Sequence, residues 1–266
     1  MLTKSSSKRE FGVSSAVLKH TAYLSMFIDH FFYVVFFAYM QWMIWQGSPV
    51  EELREVYQWG RAVGRIAFIL FAFMAAEGFV YTHNRKQYLL RLGVFALLSE
   101  IPFDLAIHGT LFTMEGQNVY FTLFLGVLAL YFMEKLRGHF FLQLNIVVLC
   151  CAAAIILDTD YMIMGVLLIV VFYLTRRSFW YQLVAGSLTI YLGIVAVYAI
   201  SYWDGIQSLV GFFQSGCSEL YGLLAFVLIY FYDGTKGKQL SKMCYYMFYP
   251  LHLLLLYGVQ EMLFGI

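Results

Sequence analysis

The sequence predicts an all-α fold: a polytopic transmembrane helical bundle of about nine spans (eight to ten), forming a single integral membrane domain over residues 1–266. Three observations carry this. The 266 residues are 62% hydrophobic and only 12% charged, against the roughly one quarter charged in an ordinary soluble domain. The apolar residues fall in long unbroken runs, not in the ~10-residue alternating segments of a membrane barrel. Lysine and arginine collect on alternate connections, the mark of a chain that weaves through a bilayer.

The spans follow in order at roughly 20–45, 61–81, 88–106, 119–134, 140–157, 161–175, 181–200, 217–232 and 244–264. The polar, basic MLTKSSSKRE precedes the first. The apolar run behind it is too long for a signal-peptide core and no small-residue cleavage site follows, so it is expected to stay as a span. The longest external connections are 46–60 and 201–216. The first, GSPVEELREVYQW, is acidic and amphipathic and is expected to lie on the membrane surface.

Charge fixes an expected orientation. With the N-terminus inside, the inner segments hold Lys4, Lys8, Arg9 and Lys19, then Arg85, Lys86 and Arg91, then Lys135 and Arg137, then Arg176 and Arg177, then Lys236, Lys238 and Lys242. That is 14 of the 17 basic residues; the outer side keeps Arg54, Arg61 and Arg65. Such an excess marks the cytoplasmic face. An odd span count puts the C-terminus outside; merging the last two spans would give eight and return it inside. The net charge of +1 points to no nucleic-acid partner, and Cys150, Cys151, Cys217 and Cys244 have neither CxxC nor metal spacing.

Ionisable groups inside the bilayer cost ~2.5–3.5 kcal/mol each on insertion scales, so they are paired or functional. Asp29 and His30 fall near the middle of span one, Arg61 and Arg65 share a face of span two, and Glu77 lies deep in that span. Glu100 and Asp104 flank Pro102 near the outer end of span three, Asn118 opens span four, and Asp158 and Asp160 sit between spans five and six. His252 follows Pro250 in the last span, where proline frees a backbone carbonyl and kinks the helix. Each has a structural reading: Asp29 as counter-ion to Arg65, His30 as a neutral core histidine, Glu100 and Asp104 as interfacial loop residues. Together they point to a buried polar chamber, open outward, with His30 at its centre. Histidine is the side chain whose ordinary pKa suits a general base or proton relay near neutral pH.

Four segments resemble the TraX family of bacterial membrane proteins, named from a pilin N-acetylase of conjugative plasmids. They are LKHTAYLSMFIDH (18–30), GRIAFILFAFMAAEGFVYTHNRKQYLLRLGVFALLSEIPFDL (64–105), NVYFTLFLGVLALYFME (118–134) and YYMFYPLHLLLLY (245–257). They cover about a third of the chain, in the family's order. Ile69 stands where a proline is expected after GRIAF, and Thr82–Arg85 replaces a more usual His-Thr-Arg-Asn-Arg.

The resemblance implies an acetyltransferase of the bacterial cytoplasmic membrane that moves acetyl from acetyl-CoA to the N-terminal amine of a membrane-associated or secreted peptide. His30 would be the general base, oriented by Asp29 or a backbone group. Glu100 or Asp104 would hold the acceptor ammonium, and Arg65 or Asn118 would face the oxyanion. Arg85, Lys86, Arg91, Arg176 and Arg177 would meet the CoA phosphates, with Glu77, Tyr249 and His252 also placed on the CoA side. The lack of a recognisable serine or cysteine nucleophile favours direct transfer. Two other readings stay open on the residues alone: a proton-coupled transporter using the same acids and histidine, and an assembly or immunity factor whose buried charges are structural.

Overall fold

A computed structural model describes residues 12–201 and 220–265. Lys4, Lys8, Arg9 and Cys217, and the expected connection at 201–216 apart from Ser201, lie outside the described residues. Within them the chain is helical throughout, with no named strand and two isolated bridges, Val13 to Tyr232 and Gln117 to Thr159.

Among the described residues ten helices follow one another: α1 (Ser15–Trp45), α2 (Glu51–Tyr81), α3 (Arg85–Leu98), α4 (Glu100–His108), α5 (Val119–Lys135), α6 (Phe140–Ile156), α7 (Met162–Thr175), α8 (Phe179–Ser201), α9 (Ala225–Phe231, led in by a 3₁₀ turn at Leu220–Leu224) and α10 (Lys242–Phe264). Their starts are written in the sequence. Ser14, Asn84, Asn118 and Ser241 stand at N-caps, each side chain accepting from a backbone N–H of the first turn and so satisfying a donor the helix leaves open.

Among the described residues four helices are long and apolar enough to cross a membrane: Ser15–Trp45, Glu51–Tyr81, Phe179–Ala196 and Lys242–Phe264. Phe140–Ile156, Met162–Thr175 and Leu220–Phe231 are shorter apolar helices. Large apolar side chains such as Leu97, Phe141, Ile156, Trp180 and Leu263 point outward, as a lipid-facing surface requires.

Two expectations change. The acidic connection at 51–60 is no separate surface element but the first third of α2, whose 31 residues run about 46 Å, longer than a bilayer core. The stretch 88–106 is two helices broken at Ser99. Pro102 explains the break: it has no N–H for the carbonyl of Leu98, four residues back, and its ring clashes there. Leu98 therefore ends α3, and Pro102 falls in the first turn of α4, where a missing donor costs nothing.

α2 is the central post. Ala67, Leu70, Ala72, Phe73, Ala76 and Phe79 are all buried, and the helix meets α1, α7 and the 3₁₀ turn at Leu220–Leu224. It runs antiparallel to α1, since Ser25 faces Val63, Asp29 faces Arg61 and Phe32 faces Gly60. Gly60 and Gly64 allow the close approach: a β-carbon on Gly60 would collide with the Phe32 ring, and one on Gly64 with the Asp29 side chain. This is the small-xxx-small device of membrane helix pairs. The hydroxyl of Ser25 donates to the Val63 carbonyl at 2.5 Å across the same seam.

Candidate functional site: a histidine pair beside a proline turn

His30 ends a regular stretch of α1; the turn at Phe32–Phe36 is π-helical, an insertion that helices often carry at functional sites. His252 comes from α10, two residues after Pro250, which loosens the helix. Pro250 cannot donate to the Tyr246 carbonyl, and the hydroxyl of Tyr120 donates to it instead at 3.1 Å. The neighbouring carbonyls also take side-chain partners. Tyr23 donates to Tyr245 O at 2.8 Å, and His252 Nδ1 donates to Phe248 O at 2.8 Å.

The two imidazoles meet there. His30 Nδ1 lies 2.6 Å from His252 Nε2, with the rings nearly parallel, 17° apart at 4.9 Å between centroids. The proton positions follow by elimination. A carbonyl only accepts, so His252 carries its proton on Nδ1. Neutral His252 then accepts at Nε2, so His30 donates from Nδ1 and holds its lone pair on Nε2. His252 is 4% exposed while His30 is half-buried, so His30 is the more accessible member. Tyr249 sets its ring edge-on to both, at 5.9 Å from His30 and 5.6 Å from His252, and packs on Tyr120 at 5.2 Å. Tyr249 and His252, expected on the CoA side, thus stand beside His30 itself.

Asp29 points away from His30, about 100° round the helix, into α2. Its Oδ2 takes Arg61 Nη1 at 2.7 Å, and Arg61 also lies over the Tyr33 ring at 4.6 Å. The group that orients His30 is therefore His252, and Asp29 is tied to Arg61. Arg65 stands one turn along α2 from Arg61, on the same face.

Asn118, Glu100 and Asp104 form a second polar group. Asn118 is fully buried. Its Nδ2 donates to Ala96 O at 2.8 Å and, closely, to Glu100 Oε2, and its Oδ1 accepts from Tyr120 N at 3.0 Å. Both amide protons are spent, so Asn118 has no donor left for an oxyanion. Asp104 Oδ2 accepts from Thr113 N at 2.9 Å and pins the loop after α4. Glu100 and Asp104, 6% and 0% exposed, are core groups of α4 and not interfacial loop residues. Their other oxygens, Glu100 Oε1 and Asp104 Oδ1, and Ser99 Oγ have no hydrogen-bond partner among the described residues. Asp158 accepts from Gly116 N at 3.1 Å, tying the same loop to the α6–α7 turn, where Asp158, Tyr161 and Met162 all hold positive φ. Tyr161, a bulky residue that rarely adopts this conformation, is stacked flat on Phe68 at 3.7 Å.

The expected phosphate-binding cations do not gather at this site. Arg85 pairs with Glu134 at 3.1 Å and covers Phe79, Tyr173 donates to Glu134 at 3.2 Å, and Arg176 lies over Tyr173. Asn118 and Glu134 stand near opposite ends of α5, about 24 Å apart at ~1.5 Å per residue. Glu77 belongs to the Arg85 end, one turn before α2 stops at Tyr81. Arg91 interacts with Tyr246 of α10. Among the residues that sequence reading passed over are Tyr23, Tyr120 and the π turn. The Gly60-x-x-x-Gly64 spacing and the tyrosine four residues before Pro250 were signals available for the seam and the freed carbonyl.

The family model described as "TraX protein" matches residues 14–260. The chain is also 27% identical, over 96% of its length and 99% of the relative's, to the "Probable fimbrial assembly protein FimC, serogroup H1" of Dichelobacter nodosus. No solved structure matches it. With the match running from Ser14 through His30, Pro250 and His252, the chain belongs to the TraX protein family.

Proposed function

We propose that this chain is an acetyltransferase of the bacterial cytoplasmic membrane, with about nine spans and its N-terminus inside, that moves acetyl from acetyl-CoA to an amine of a membrane-associated peptide. The observation that carries the reading is the relay from Phe248 O through His252 to His30, which leaves one oriented basic nitrogen, His30 Nε2, inside a helical bundle. Membership of a family named from a pilin N-acetylase, and a relative named for fimbrial assembly, support a pilin-like peptide as acceptor.

In this reading the amine nitrogen attacks the thioester carbonyl carbon, the C–S bond breaks, and His30 Nε2 takes the proton the amine loses. The leaving thiolate is protonated in turn by His30, so the base is regenerated. His252 accepts the Nδ1–H of His30 throughout and steadies the imidazolium that forms, as a fixed hydrogen-bond partner does in other acyl-transfer sites. A carboxylate of Glu100 or Asp104 would hold the acceptor as an ammonium and take its first proton, later released to water, so that the neutral amine attacks. We assign the positive charge facing the oxyanion to Arg65.

The test is acetyl transfer from acetyl-CoA to a synthetic pilin N-terminal peptide by the purified protein in nanodiscs, wild type beside His30→Ala. Turnover in the wild type with loss in the variant is expected. A folded wild type that neither binds acetyl-CoA nor turns it over would overturn the reading.

A further inference from the structure

α1 and α10 part at the end nearest Ser15, and a cavity of about 340 Å³ opens between them, within the ~300–1,000 Å³ range of ligand sites. His20, Tyr23, Phe27, Cys244, Tyr245 and Phe248 line it. Its mouth is polar and held in place. Tyr245 Oη lies 3.2 Å from His20 Nε2 and accepts from Leu240 N at 3.2 Å, while Lys19 Nζ donates to Gln239 Oε1 at 2.9 Å and lies over the Tyr245 ring. The loop that rims it is bonded to the start of α1, Thr235 O accepting from Ser15 N and Lys236 O from Ala16 N. Lys236, Lys238 and Lys242 are exposed on or beside that loop.

Its floor leads to the histidines. Tyr245 stacks on Tyr23 at 5.5 Å, Tyr23 meets Phe248 at 5.1 Å, and Phe248 lies flat on His252 at 5.0 Å. Ten residues of α1 separate His20 from His30, about 15 Å along the helix. A basic rim, an aromatic groove and a chain of ring contacts from its floor to the histidine pair suit a molecule with an anionic head and a long thin arm ending in the reacting group.

We propose that the CoA thioester approaches through this cleft, its phosphates meeting Lys19, Lys236, Lys238 and Lys242 and its pantetheine arm lying along Tyr23, Phe27 and Phe248 toward His30. The Arg85 and Arg176 cluster, paired with Glu134 and covering aromatic rings, is then a structural clasp. The proposal rests on the transferase reading and adds where its donor binds.

Cys244, exposed on the cleft wall, reports occupancy in the unaltered protein. The wild type in neutral-lipid nanodiscs is treated with a maleimide, with and without a thioether analogue of acetyl-CoA that cannot transfer, and modification at Cys244 is read by peptide mass spectrometry. Slowing of roughly tenfold or more is expected at saturating analogue. Leu24, which lines the cleft and is largely exposed, gives a second measure: Leu24→Trp should raise the KM for acetyl-CoA by about tenfold, some 1.4 kcal/mol of binding, and leave the KM for the peptide unchanged. Unchanged Cys244 labelling, or an unchanged acetyl-CoA KM in Leu24→Trp, with a wild type that still transfers acetyl, overturns this binding route while leaving the transferase reading standing. Protection by phosphatidylglycerol but not by the analogue overturns it in favour of a lipid site. Absence of any turnover or analogue binding overturns both.

Discussion

His30 and His252, 222 positions apart in the chain, bring Nδ1 and Nε2 to 2.6 Å, and the Phe248 carbonyl on the far side of His252 decides which nitrogen of each ring holds a proton. The pair is thus polarised in one direction, with the basic end at His30 Nε2. A general base contributes about 10²–10⁴-fold. His30→Gln is expected to lose that much in kcat while the KM for acetyl-CoA changes little, as measured by steady-state transfer assays.

His252 is a positioning residue in this arrangement, so its substitutions should grade by chemistry. A glutamine side-chain oxygen can accept the His30 Nδ1–H and a leucine cannot. His252→Gln should keep a larger share of kcat than His252→Leu, whose loss is expected at about 10–100-fold, comparable to losing an orienting partner elsewhere. The same variants should shift the acidic limb of the kcat–pH profile; identical profiles would mean that His252 only fills space.

Tyr120 and Pro250 are coupled through one carbonyl. Tyr120→Phe strands Tyr246 O and should lower stability by about 1–2 kcal/mol. Pro250→Ala restores a backbone N–H to that carbonyl, so Tyr120→Phe made in the Pro250→Ala background should cost measurably less. Thermal unfolding of the four proteins in detergent checks this, and strict additivity would sink it.

The α1–α2 seam depends on the two glycines. Gly64→Ala drives a methyl into Asp29 and Gly60→Ala into Phe32, and each should destabilise by about 1–3 kcal/mol as overpacking does. Gly109→Ala, with φ +66 and open space around it, should show only backbone strain, about 1 kcal/mol. Melting temperatures of the three variants rank them.

Asp29 and Arg61 should show pairwise coupling. Asp29→Asn and Arg61→Gln together are expected to cost less than the sum of the two singles, with a coupling of about 1–3 kcal/mol for a partly buried contact pair. A double-mutant cycle by unfolding gives the value. If Asp29 instead served His30, the cycle would be flat in stability and Asp29→Asn would reproduce the kinetics of His30→Gln.

Local chemistry made the helices legible in the sequence. Apolar runs, capping residues such as Asn84 and Asn118, and the intramembrane placement of Asp29, His30 and His252 can be read without coordinates, because they depend on residues a few positions apart. The break at Ser99 was readable too, since Pro102 dictates it, but a long apolar run masked it. Glu77 lies one turn before α2 ends at Tyr81, a placement that hydropathy alone does not give.

By itself the sequence determined an all-helical chain for an apolar solvent, studded with a few costly polar groups and carrying a family's motifs. Only the tertiary structure decided which of those groups meet. It paired Asp29 with Arg61, spent both amide protons of Asn118, and set His30 against His252 and not against its neighbour Asp29. The physical reason is that a hydrogen bond is decided by ångströms and ring orientation between helices. Those depend on how Gly60, Gly64 and Pro250 let the backbones approach and bend, which no count of residues along one strand of sequence contains.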